Sequence, residues 1–207
     1  MTGKSTSAAI RGNHRIRVFI AHQWPLLALL ATNLSTFWPH YLGRATFPWD
    51  FVGGYHTQSF GWFDNGSVFA PPAWFPWGEM GFPSFLALQS GAWYAPLALL
   101  DAVGVVYTIH VATMVQVLHV LAGALGVYAL LRQSGCSRGV ALLGGIAFHF
   151  GAAFYSNQQH VDIVRAAALF PWLLYVLRPD FLAERWALLA GADGQCFAGG
   201  GHRAAIA

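Results

Sequence analysis

The chain has 207 residues, of which 56% are hydrophobic, 15% aromatic and only 9% charged, and its mean hydropathy is +0.48. A soluble domain carries about a quarter of its residues as charges, because its surface must be hydrated. With 11 basic and 8 acidic side chains this chain cannot coat a globule of its size, which argues against a soluble enzyme, a disordered linker or a nucleic-acid binder. The expected fold class is an all-α integral membrane protein with about four transmembrane helices. A long, aromatic-rich extracytoplasmic first loop carrying interfacial helices completes it.

In chain order, a small and polar start, Met1 to Asn13, leads through Arg15 and Arg17 into a largely apolar run over about 18–42. That run is too long for a signal-peptide core, contains Trp24 and Trp38, and is followed by no small-residue cleavage site, so it reads as a true span. A second apolar run covers about 103–131, with Gly123 and Gly126 inside it. After the polar turn Arg132 to Arg138 a third covers about 139–155, where Gly144, Gly145 and Gly151 allow close helix approach. Ser156 to His160 forms another polar turn before a fourth run over about 161–177, closed by Arg178 and Pro179.

Basic residues orient these spans. With the N-terminus cytoplasmic, Lys4, Arg11, Arg15, Arg17, Arg132, Arg138, Arg178 and Arg185 lie inside, and only Arg44 and Arg165 lie outside. This gives one membrane domain over 1–190, multi-pass, in a bacterial cytoplasmic (inner) membrane. The outer loop is 43–102 and an irregular C-terminal tail covers 191–207. The tail loses aliphatic character abruptly, as a truncated or frame-shifted reading of a longer ancestor would. Cys136 and Cys196 make neither a disulfide framework nor a metal-binding pair.

The outer loop of about 60 residues is too long to be idle. Its Trp49, Trp62, Trp74, Trp77 and Trp93 suit the headgroup layer. The stretch Phe85 to Leu100, interrupted by Pro96 and followed by Asp101, reads as an interfacial or re-entrant helix rather than a span. Asp50 lies among aromatics in Phe47-Pro48-Trp49-Asp50-Phe51 just past the first span. Partial desolvation suits such a carboxylate to accept a proton; a helix cap or water-boundary marker is the plainer reading.

The segment Trp77 to Pro96 (WGEMGFPSFLALQSGAWYAP), the Asp shortly after the first span, and Asn157-Gln-Gln-His160 leading to Ala168-Leu-Phe-Pro171-Trp172 are similar to the N-terminal part of YfhO-type bacterial membrane proteins, relatives of the GT-C glycosyltransferases. The resemblance runs over about residues 16 to 180 and rests on loose patterns of Gly, Pro and aromatics; members of that family are longer. It implies a transferase that takes sugar from a polyprenyl-phosphate donor at the outer face. Asp50 would then be the base on the acceptor hydroxyl or a ligand to a divalent metal, with Glu79 a second catalytic candidate. His160 and Arg165 would meet the donor phosphate, a cation there stabilising charge on the leaving group. Snorkelling to the interface is the plainer reading of Arg165, and a polar turn position that of His160.

A non-catalytic accessory subunit of a larger respiratory or photosynthetic membrane complex is the alternative, its partners being membrane lipid and other membrane subunits. Neutral imidazole can ligate haem or bacteriochlorophyll. His110 and His119, nine residues apart, fall on opposite helix faces and cannot share an axial site. His149, between two phenylalanines, is the best single cofactor-binding candidate, with interhelical hydrogen bonding its commoner use. No phosphate-binding loop, dinucleotide fingerprint or metalloprotease helix occurs.

Overall fold

The apolar runs become helices that pack lengthwise against one another, and the computed structural model describes them within residues 23–59, 63, 73–76, 80–83, 91 and 94–177. The described chain is mostly helical. Helix α1 covers 23–36; the chain bends at Phe37 and resumes as α2 (Trp38–Tyr41). Pro39 explains the bend, since its ring excludes the carbonyl one turn earlier and it donates no bond. The remaining helices are α3 (Ala95–Ala102), α4 (Ile109–Gln133), α5 (Arg138–His149), α6 (Ala152–Tyr155) and α7 (Val161–Val176). A π-helix, Phe51–His56, lies between α2 and a two-stranded antiparallel pair, β1 (Trp74–Phe75) and β2 (Phe82–Pro83), with Phe75 opposite Phe82.

Local chemistry sets these ends. Thr108 caps α4 by accepting from the Val111 amide, and Ser137 caps α5 by accepting from Val140. Pro96 opens α3 rather than interrupting it, because the amide it lacks belongs to a first turn that has no partner for it. The expected third run divides into α5 and α6 around Phe150 and Gly151, and residues 103–108 precede α4 without joining it. Helix α5, with 12 residues, is roughly 18 Å long and α7, with 16, roughly 24 Å, against a hydrocarbon core of about 30 Å. Among the described residues one helix, α4, is long and apolar enough to cross a membrane.

Helix α4 is the axis of the fold and packs against both α7 and α5. Glycines make both approaches close. A Cβ on Gly126 would stand 2.8 Å from the Trp172 indole nitrogen and 3.1 Å from Pro171 on α7. A Cβ on Gly145 would stand 2.9 Å from the Ala124 carbonyl oxygen, so α5 meets α4 backbone to side. Trp172 Nε1 donates to the Ala122 carbonyl at 2.8 Å across the first contact. The main core joins Phe37, Phe47, Phe51 and Tyr55 to Val117 and Val120 of α4 and Val161, Val164 and Ala168 of α7.

Candidate functional site

The site forms where the segment after α2 meets the N-terminal end of α7. Trp49 holds a left-handed backbone (φ 54°), a conformation that costs a non-glycine residue roughly 1–2 kcal/mol. This turn sets Asp50 at the N-cap position of the π-helix, yet the Asp50 side chain makes no capping bond. Its carboxylate faces α7 instead, Oδ2 lying 3.7 Å from His160 Nδ1. The Asp50 side chain therefore forms no helix cap and instead approaches a residue distant in sequence.

Phe51 and Tyr55, four residues apart in the π-helix, are buried together, and π-helical turns are frequent at functional sites. Burying them carries the Tyr55 phenol to α7, where it donates to Asp162 Oδ1 at 2.6 Å and stands 3.5 Å from His160 Nδ1. Burial first, then the hydrogen bond and charge of Asp162, hold the Tyr55 phenol well above the ordinary tyrosine range. Asp50 acts in the same direction, and the Arg165 charge opposes it.

Arg165, one turn beyond Asp162, does not snorkel: only 7% of it is exposed. Its guanidinium lies 4.6 Å from the centre of the Tyr94 ring, a cation–π distance, and is hydrogen-bonded to Tyr107. Gly91, at φ +75°, lies directly over it; a Cβ there would come within 2.8 Å of Arg165 Nη1. Nε of Arg165 has no partner among the described residues. Tyr94 is anchored in turn. His119 Nδ1 donates to the Val115 carbonyl at 2.6 Å, which leaves Nε2 to accept the Tyr94 hydroxyl proton. Burial raises the Tyr94 phenol, with the Arg165 charge opposing.

Two of the sequence candidates, Asp50 and His160, meet beside Tyr55; Arg165 lies five residues beyond His160 on α7, against Tyr94 and Tyr107, and Glu79 lies outside the described residues. Asp162, Tyr55, Tyr94 and Tyr107 belong to the cluster without having been singled out. Asp162 carried a signal: an acid in a helix first turn, three residues before an arginine, favours both the dipole and an ion pair on one face. The tyrosines carried none, because their partners are more than twenty residues away in sequence.

His149 sits apart, fully buried, with Nε2 3.2 Å from the Asn33 amide nitrogen. Asn33 also donates to the Val117 carbonyl and accepts from Tyr41, so His149 serves an interhelical network and that nitrogen is not open to an axial ligand. His110 is exposed and His119 buried, on opposite faces as expected. Among the described residues no three of His, Cys, Asp and Glu come close enough to hold a metal ion. A comparison with protein-family models, curated proteins and solved structures finds no match.

Proposed function

We propose that the chain is a GT-C-like membrane glycosyltransferase homologue of YfhO type, whose ancestral activity transfers sugar from a polyprenyl-phosphate donor at the outer face of a bacterial inner membrane. The observation that carries the reading is the Asp50–His160 pair, at 3.7 Å, at the start of the helix that also holds the buried Arg165 cation. Such a set pairs an acid–base couple, for the acceptor hydroxyl, with a fixed positive charge, for the phosphate leaving group. A guanidinium held in place by Tyr94, Tyr107 and Gly91 needs little reorganisation as charge develops.

The distribution of side chains supports a lipid setting; four spans with the N-terminus inside are part of the proposal. Leu27, Leu30, Leu34, Leu143, Leu169, Phe170, Leu173 and Leu174 face outward, while Asn33, Thr113, Gln116, His149 and Arg165 are buried. Polar residues inside and large apolar ones outside suit a bilayer, where ionisable groups turn to the bundle interior. A shallow, open apolar depression of about 470 Å³, lined by Phe148, Ile163, Ala166, Ala167 and Phe170, lies along α7, which carries Arg165. An isoprenoid tail would lie there.

The test is reconstitution of the chain in liposomes with a polyprenyl-phosphate glucose and a glucoside acceptor. Transfer by the unmodified chain, reduced about 100-fold or more by Arg165→Gln, is the expected result. Binding of the donor lipid without transfer, together with stable capture in a larger membrane complex, would favour the accessory-subunit reading.

A further inference from the structure

Resting on the transfer reading above, we propose that His160, through Nε2, is the proton-accepting group of this site, and that Asp50 and Tyr55 are positioning residues that hold its Nδ1–H. The assignment follows from counting protons. Tyr55 has one hydroxyl proton, and the carboxylate oxygen of Asp162, at 2.6 Å, takes it. The Tyr55 oxygen therefore presents lone pairs to His160 Nδ1, 3.5 Å away. Asp50 Oδ2 approaches the same nitrogen to 3.7 Å. Two acceptors converge on Nδ1, so the tautomer with its proton there is the favourable one; the other would set lone pair against lone pair. Both separations exceed a closed hydrogen bond, as is common for catalytic contacts before substrate arrives.

Nε2 is then the basic nitrogen. It is bonded to no described residue, in a side chain with 32% of its surface exposed. Asp50, at 63% exposed, is the more hydrated of the pair and the poorer candidate for a desolvated base. In the step, the acceptor O–H bond breaks and its proton goes to Nε2. The oxygen's electron pair forms the bond to the anomeric carbon, and the bond from that carbon to the donor phosphate breaks with its pair leaving on the phosphate oxygen. The imidazolium so formed lies against the Asp50 carboxylate, which stabilises it as an orienting carboxylate does in hydrolase triads.

Two measurements on the full chain decide it. The first is nitrogen NMR of the chain with labelled histidine in lipid nanodiscs: the expected His160 signal is the Nδ1–H tautomer, and an Nε2–H signal overturns the proposal whatever the activity. The second uses the polyprenyl-phosphate glucose probe with His160→Ala and Asp50→Asn. His160→Ala lowers kcat about 100-fold or more with little change in KM, and added imidazole restores it; Asp50→Asn loses less and is not restored. Failure of imidazole to restore His160→Ala, with Asp50→Asn the more damaging change, overturns the proposal and leaves the transfer reading standing. If the unmodified chain transfers nothing, the transfer reading fails and the proton-accepting role of His160 fails with it.

Discussion

Tyr55 contributes to the site through a single proton. Its phenol is buried and bonded to a carboxylate, and both conditions favour the neutral form. The folded value lies above the unfolded one, so the stabilisation is whole below about pH 10 and is lost as pH rises through the higher folded value. Phenolate absorbance should therefore show a late-titrating group of tyrosines that includes Tyr55 and Tyr94, and Tyr55→Phe should remove one equivalent from it. The same substitution deletes a hydrogen bond to a charged group, worth about 1.5–3 kcal/mol, which thermal unfolding in detergent measures. A Tyr55→Phe chain as stable as the original would show that the bond to Asp162 contributes nothing. Asp50 was readable in the sequence as an acid among aromatics, whereas its partner was not: His160 lies 110 residues away, and only the packing of the π-helix on α7 joins them.

At the scale of elements, small residues decide how closely helices meet. Gly145 lets α5 rest on the Ala124 carbonyl of α4, and that oxygen is backbone, which cannot turn aside. Gly145→Ala should cost about 1–3 kcal/mol, as overpacking does. Gly139→Ala, at the start of the same helix with nothing within 4 Å of its would-be Cβ, should be neutral or slightly stabilising. Equal effects of the two in thermal denaturation would show that the α4–α5 contact is not close. Periodicity and turn residues located α7 closely and the inner ends of α4 and α5, which the polar turn Arg132 to Arg138 fixes, but set the start of α4 and the end of α5 about six residues too far out. They missed the break at Phe150 and Gly151 and the pairing of Phe75 with Phe82, since both depend on contacts rather than on local preference.

For the whole molecule, orientation is the consequential quantity. On the reading proposed, Asp50 faces outward and the turn holding Cys136 faces the cytoplasm. In intact cells an impermeant thiol reagent should label an Asp50→Cys chain at that position, and should reach the half-buried Cys136 only after permeabilisation. Labelling in the reverse order would overturn the topology and with it the outer-face site. Helix α4 alone meets the length and apolarity of a span among the described residues, so α5 and α7 cross on this reading only with the help of their neighbours.

Composition alone determined that this chain is rich in apolar side chains and poor in charge for its size, because both follow from a sum over residues that no fold can alter. The spacing of glycines and arginines added where helices approach and where they turn. Tertiary structure alone decided that Arg165 is enclosed by Tyr94, Tyr107 and Gly91 rather than extended to the interface, and that Asp50 turns from its cap position toward His160. Those are properties of pairs distant in the chain, where burial and electrostatics depend on which surfaces the helices bring together.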